Sequence, residues 1–507
     1  MGEKGAYRME NQNTHYVLAF DFGASSGRAI LGALKDGKIE MKEIHRFSND
    51  PVIVNGTMYW DTLRQFFEIK QGIVKAKKYG TIDSMGVDTW GVDFGLIDEH
   101  GALLENAVHY RDERTRGMDR KVFTKIPKSE LYNITGNEFN YFNTIFQLNA
   151  LKENRPWMLE RANKFLFTPD LFNYFLTGEK KAEYTMATTS SLLDIRKREW
   201  SEEVIERIGL KKELFPELIA SGSIVGPLKK EICEELGVNS MKVIAVASHD
   251  TQSASAAVTT QEKDFIFISC GTWSLYGTEL DEPVIGEKSL EMNVSNEGGY
   301  GGKINFLKNL TGLWMVQESR RQWIREGNEY SFGELETQAK EVELFQNFVD
   351  ANAEEFVPSG NMPRRIREYC KQTGQTVPET SGEIVCCINQ SLAMKYRREL
   401  DKIQYCLNKK YDTIHMIGGG IQSKLLCQMT ANATGCRVAA GPVEATAFGN
   451  IAVQMIALGQ IKDIKEAREI IERSEATCYY EPQNTEEWSQ AYARYCQVTK
   501  RQEEELE

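Results

Sequence analysis

The sequence has no apolar run of the roughly 18 residues or more that a membrane-spanning helix needs, so no membrane span or membrane partner is expected. It has no excess of positive charge: the net charge is −12, and no DNA-binding motif occurs, which excludes a general nucleic-acid binder. An anionic ligand is not excluded, because a few local N–H groups can bind phosphate inside an acidic protein. The ten cysteines form no C-x-x-C zinc pattern and no repeating framework, which fits unpaired thiols in a reducing cytosol. Cys370 and Cys387 bracket a loop rich in turn residues, which leaves one disulfide open. No G-x-x-x-x-G-K-[ST] occurs, excluding a Walker A site, and no G-x-G-x-x-G follows the first apolar strand, excluding a Rossmann oxidoreductase. The first residues, "MGEKGAYRMENQNTH", lack the apolar core of a signal peptide and predict a flexible lead-in over 1–15.

What is present is an ordinary globular composition, 41% hydrophobic and 26% charged, over 507 residues, long enough for two domains. The pattern "YVLAFDFGASSGRAILGAL" reads as a buried strand, a glycine- and serine-rich turn and a second strand, with "KDGK" as the next hairpin turn. "KDFIFISCGTWSLYGTEL" repeats that architecture in the second half, and "YDTIHMIGGGIQSKLLCQMTANATG" follows it as strand, triple glycine, amphipathic helix and closing glycine. The repetition predicts a duplicated α/β domain with a boundary near 252–263. The stretch from about 115 to 235 reads as mostly helical. The stretch 334–382, with Pro358, Pro363 and Pro378, reads as irregular and surface-exposed.

Several short runs carry chemistry. In "DFGASSGR", Asp21 to Arg28, small residues permit close backbone approach to a polyphosphate, and Arg28 can engage phosphate oxygens. Asp21 ends a buried strand and can hold a hydrated Mg²⁺. The alternative is a plain hairpin turn. "SCGTWSLYG", Ser269 to Gly277, offers a second such turn, and "IGGGIQS", Ile417 to Ser423, offers either a flat surface for a nucleotide or tight strand–helix packing. "DTWGVDFG", Asp88 to Gly95, sets Trp90 beside carboxylates, which suits a sugar or simply a core tryptophan; "YRDERTR", Tyr110 to Arg116, reads as a solvated charged loop. In "AVASHDTQSASAAV", residues 245–258, Asp250 stands where a buried strand stops and a small-residue helix starts. Two roles suit a carboxylate there: an N-cap for the helix, or a general base at the strand edge where open α/β sheets bind ligands. Spacing alone leaves both standing.

Together these residues resemble the FGGY family of carbohydrate kinases, within the actin-like ATPase superfamily. The runs "DFGASSGR", "EIHRF", "DTWGVDFG", "YRD", "NTIFQL", "VASHDT", "GTWSL", "NEGG", "LKNLTGLW", "GGG" and "AGPVEA-x-x-x-GN" follow the family's order from about residue 16 to about 455. The resemblance implies two ribonuclease-H-like (actin-like ATPase) domains with a catalytic cleft between them. It puts the sugar domain at 16–255, the nucleotide domain at 256–485, and a C-terminal helix or tail at 486–507. The A-S-S-G-R form of the first loop points to the branch acting on L-rhamnulose, so the implied reaction is transfer of the γ-phosphate of MgATP to the 1-hydroxyl of that ketose. By motif match, Ala24, Ser25, Ser26, Gly27 and Arg28 with Thr272, Gln317 and Gly419 would meet ATP. Gly91, His249, Asp250, Thr251 and Asn309 would meet the sugar, with Asp250 as base and Asp21 holding Mg²⁺ through water. A cytoplasmic monomer or weak homo-oligomer is expected. The rival readings are a kinase for L-fuculose, D-xylulose or glycerol, and a non-catalytic actin-like nucleotide-binding protein. One departure is visible: Cys427 and Cys436 lie nine apart along a helical run, too far to bridge locally.

Overall fold

The structure is a computed structural model that describes residues 15–503; residues 1–14 of the expected lead-in lie outside the described residues. The chain separates into two compact units. Of the described residues, the first holds those up to Ala257 together with Leu280–Asn305 and Thr446–Ser474; the second holds Val258–Glu279, Phe306–Ala445 and those from Glu475 onward.

The first unit is built on strands β1 (His15–Phe22), β2 (Ser26–Lys35), β3 (Lys38–Ser48), β4 (Thr81–Thr89), β5 (Ser223–Pro227) and β6 (Lys242–Ala245), in sheet order β5-β6-β4-β1-β2-β3. β1, β2 and β3 form an antiparallel meander, whereas β4 and β6 run parallel to β1. The β2–β3 turn is the expected "KDGK": Asp36 at φ 49° and Gly37 at φ 72° supply the left-handed pair whose twist matches a two-residue hairpin. Val17 to Phe20 are all buried, as suits a central strand covered on both faces. Helix α1 (Thr62–Ala76) is capped by Asp61 and buries Ile69, Ile73 and Ala76. Helix α2 (Thr168–Thr177) starts with Pro169 in its first turn and stops on left-handed Gly178. A short helix, α3 (Asp250–Ala256), follows β6.

The helix Ala445–Ala457, all but its first residue in this unit, packs against α3 at Gly449: a Cβ there would overlap the Ser253 carbonyl. Helices between Met118 and Arg207 make a separate core around Phe146, Phe165 and Phe167.

In the second unit β7 (Ile266–Cys270), β8 (Trp273–Leu280), β9 (Ile304–Thr311), β10 (Thr413–Ile417), β11 (Arg437–Ala440) and β12 (Cys478–Tyr480) run in the order β9-β8-β7-β10-β11-β12. β7 and β8 are an antiparallel hairpin, and β10 and β11 run parallel to β7. Each unit therefore places its third, second, first and fourth strands in that order, then a further parallel strand and an antiparallel edge strand; the edge strand is β5 in the first unit and β12 in the second. The helices that matter below are α4 (Trp314–Arg325), α5 (Ser381–Leu407) and α6 (Lys424–Thr434).

Two expectations change. The stretch 334–382 is not irregular: it holds most of helix Phe332–Lys340 and all of Met362–Gln372, and it buries Phe348, Val349, Phe356 and Tyr369. Its prolines are punctuation rather than disorder. Pro363 sits in the first turn of a helix capped by Asn361, where a missing N–H costs nothing. No disulfide joins the described cysteines; Cys370 and Cys387 are buried and unbridged, and the Cys387 thiol is kept protonated by its hydrogen bond with Cys370 and by burial. Among the described residues no helix is long and apolar enough to cross a membrane.

Candidate active site

Three parallel strands of the first unit deliver three carboxylates to their carboxyl ends. Asp21 ends β1, Asp88 lies opposite it in register near the end of β4, and Asp250 opens α3 just beyond β6. Thr89 N–H donates to the Ser248 carbonyl at 2.9 Å, which ties the post-β6 segment to β4. Across the hairpin, Arg28 on β2 faces Asp21, and its Nη2 donates to Asp21 Oδ2 at 2.5 Å.

Asp250 is not the cap of the helix that follows β6. The N-cap is His249, and Asp250 is the first helical residue. Its Oδ1 accepts from the Thr251 N–H at 2.6 Å, so it serves the helix end in part, yet 32% of its side chain stays exposed. Burial pushes its pKa up to about 6, the nearby Asp21 charge adds to the rise, and His249 and the Thr251 bonds oppose it.

His249 is buried, with Nδ1 at 3.2 Å from Glu297 Oε2 and Nε2 at 3.5 Å from Asp250 Oδ1. Burial disfavours its charged form, but Glu297, Asp250 and Glu183 outweigh that and raise its pKa. Glu297 also accepts from Gln252 Nε2 at 2.9 Å, and Asn305 Nδ2 donates to Gln252 Oε1, so the imidazole stands on a buried amide–carboxylate frame. Gly91 leaves room beside it: a Cβ there would lie 3.3 Å from His249 Nε2 and 3.2 Å from Thr189 Cγ2.

Asp88 carries a second frame. Its Oδ2 accepts from Asn450 Nδ2 at 2.5 Å, and Asn450 Oδ1 accepts from Gln454 Nε2 at 2.7 Å. Asp88 Oδ1 is buried without a partner, and burial first, then Asp21, lifts its pKa well above the carboxylate range.

The "DTWGVDFG" run divides. Gly91 reaches the site; Asp93 does not. Asp93 accepts from Trp60 Nε1 at 2.6 Å, Trp90 Nε1 at 2.9 Å, Gln147 Nε2 at 2.9 Å and Tyr110 N at 3.1 Å. Trp90 packs on Trp60, ring centroids 4.0 Å apart. The aromatic-and-carboxylate pair is thus core rather than a sugar platform. Between them Val92 is held at φ 68°, a strained conformation for a β-branched residue, by bonds from its N–H to Thr189 Oγ1 and to its carbonyl from Thr144 Oγ1. "YRDERTR" is likewise not a solvated loop: Asp112 is buried and accepts from Met58 N, and Arg114 donates to Gln147.

The two hairpin turns differ in support. In the first unit, Ala24 is half-buried and Ser25 exposed, Gly23 N–H donates to the Ser26 carbonyl at 3.0 Å, and Ser26, Gly27 and Arg28 begin β2. In the second unit, the Thr272 carbonyl accepts from Gly312 N at 3.1 Å and Trp314 N at 3.3 Å, which fastens the turn to the start of α4. Thr272 Oγ1 then donates to Gln317 Oε1 at 3.1 Å. Beside them, Gly418 takes φ 87° against Cys270, Gly420 is pressed on Cys270 Sγ, and Gly419 is exposed with open space where a Cβ would stand. Asn309 lies half-buried on β9. Thr272, Gln317 and Gly419 thus gather within one unit, and Gly91, His249, Asp250 and Thr251 within the other.

Among the described residues, no group of three or more His, Cys, Asp or Glu side chains is placed to hold a metal directly. The donor set suits a hydrated cation instead: Asp88 has an orphaned oxygen, and the Asp21 charge bears on both Asp88 and Asp250. Sequence reasoning gave no role to Asp88, Gln252, Glu297 or Asn450, although "DTWG", "SHDT", "NEGG" and "GN" were in view.

Comparison with known proteins agrees with this plan. The family model for the FGGY family of carbohydrate kinases, N-terminal domain, matches residues 16–257, and that for the C-terminal domain matches 266–458. A rhamnulokinase of Oceanobacillus iheyensis is 43% identical over 90% of this chain and 96% of its own length. One of Bacteroides thetaiotaomicron is 40% identical over 94% and 98%. Among solved structures, a ligand-bound xylulose kinase from Lactobacillus acidophilus superposes with a TM-score of 0.79 at 18% identity, covering 96% of this chain and 97% of that one. A Plasmodium falciparum glycerol kinase with ADP superposes with a TM-score of 0.77 at 15% identity, covering 96% and 98%. These last two speak for the fold, and the close relatives for the branch: the chain belongs to the FGGY family of carbohydrate kinases, alongside its rhamnulokinases.

Proposed function

We propose that this kinase transfers the γ-phosphoryl group of MgATP in line to the 1-hydroxyl of L-rhamnulose, giving L-rhamnulose 1-phosphate and ADP, in L-rhamnose catabolism. The observation that carries the reading is Asp250: a carboxylate at the end of β6, partly exposed, with its pKa pushed up to about 6. A base so poised is ionised at neutral pH and still a competent proton acceptor. Asp250 takes the proton of the 1-hydroxyl as the new O–P bond forms, and the bond from the γ-phosphorus to the β–γ bridging oxygen breaks, its electron pair leaving with ADP. His249, fixed by Glu297, and Thr251 and Gly91 around it orient the sugar. Asn309 is read as a second sugar contact. The turn from Ala24 to Arg28 faces the phosphates, and Thr272, Gln317 and Gly419 hold the nucleotide, with the open face at Gly419 admitting it. Asp21, with Asp88 beside it, is suited to hold Mg²⁺ through water; when bound, that ion neutralises charge on the phosphates.

ADP release by the purified protein with MgATP and, in parallel, L-rhamnulose, L-fuculose, D-xylulose and glycerol tests the reading. A rate with L-rhamnulose well above the others supports it. Preference for another acceptor overturns the sugar and keeps the machinery; no sugar-stimulated release from folded, nucleotide-binding protein overturns the kinase reading.

A further inference from the structure

The loop after β3 does more than leave the sheet. Asn49, the residue directly following β3, is buried, and it makes two bonds to the Ala24–Arg28 turn. Its N–H donates to the Ser25 carbonyl at 3.1 Å, and its Nδ2 donates to the Gly23 carbonyl at 2.9 Å. Its own side chain is fixed from α1, where Gln65 Nε2 donates to Asn49 Oδ1 at 2.7 Å. A trans peptide points its C=O and N–H in opposite directions. With the Gly23 and Ser25 carbonyls drawn toward Asn49, the N–H groups of Ala24 and Ser26 in those same peptide units are turned to the other side of the turn.

Asn49 also lines a cavity of about 520 Å³, together with Phe47, Ser48, Arg64 and Gln65. The amide of Gln65 is itself incompletely used, with Oε1 buried and unpartnered. Besides the turn's own Gly23–Ser26 bond, a relay from α1 through Gln65 to Asn49 thus supports the turn.

We infer that Asn49 is a positioning residue for nucleotide binding: it holds the glycine- and serine-rich turn with its donors facing the phosphates. The inference rests on the reading of that turn as a phosphate loop. Asn49→Asp keeps the shape and the bond from Gln65 but replaces the donor to Gly23 with an oxygen. MgADP titrated by calorimetry into the full-length protein should show affinity lowered about three- to tenfold, the worth of one such bond, while L-rhamnulose affinity of the folded protein stays near wild type and the buried carboxylate lowers thermal stability. Gln65→Met, which removes the support and leaves Asn49 in place, should weaken MgADP in the same direction and by less. Arg28→Gln separates the two readings. If it weakens MgADP and Asn49→Asp does not, Asn49 has no positioning role and the phosphate loop stands; if neither weakens MgADP, both readings fall. Equal losses of nucleotide and sugar affinity in folded Asn49→Asp would mark a purely structural residue and overturn the inference.

Discussion

The two hairpins, β1–β2 and β7–β8, occupy the same place in the same sheet plan, yet they are furnished differently. The first carries charge: Asp21 and Arg28 face one another across it, and Asp88 and Asp250 end the neighbouring strands. The second carries none at its turn; Gly271 and Thr272 are held by backbone bonds to the start of α4 and by Gln317. The sheet plan is shared, and the charged groups to which the proposed mechanism gives the proton and the cation stand at the first hairpin. On the proposed mechanism, changes at Asp250 should therefore strike turnover, and changes at Thr272 and Gln317 should strike nucleotide affinity.

The largest effect should come from Asp250→Asn, which keeps the acceptor for Thr251 N–H and so keeps the fold, but lowers kcat by about 10²–10⁴. Circular dichroism beside the assay would separate chemistry from folding. Asp93→Asn is the contrasting carboxylate of the same unit. It sets an amide N–H against one of four donors in the core and should lower stability by about 2–4 kcal/mol in denaturant unfolding, sparing kcat in the fraction that stays folded. Gly449→Ala forces a methyl into the Ser253 carbonyl and should cost about 1–3 kcal/mol, with some loss of kcat because α3 carries Asp250. Smallest should be Thr272→Val, which removes the hydroxyl bonded to Gln317 and should raise the KM for MgATP a few-fold with kcat for L-rhamnulose little changed. A turnover defect in Thr272→Val as deep as that of Asp250→Asn would break the division between the hairpins.

Much of this was legible in the sequence because its signals are local. Strand–turn–strand alternation around glycines marked both hairpins, and Asp250 stood out because an apolar run stops just before it. The parts that were not legible depend on distant segments meeting. Asn450 reaches Asp88 from 362 residues away, and Glu297 comes to His249 from a separate strand, Ser295–Gly298. Nothing local distinguishes Asp93, consumed by two tryptophans, from Asp88, which keeps an unpartnered oxygen and feels the Asp21 and Asp250 charges. The prolines of 334–382 misled for the opposite reason: in the first turn of a helix or just before its cap, the residue that breaks helices also begins them.

The pH profile of kcat/KM for L-rhamnulose bears most directly on Asp250 as the base. Its carboxyl is raised to about 6 in the folded enzyme, so activity should fall with one-proton slope as pH drops below about 6 and level off above it. That limb should be missing from the residual activity of Asp250→Asn. A wild-type profile flat from pH 7 down to pH 5, or the same limb persisting in Asp250→Asn, would contradict it.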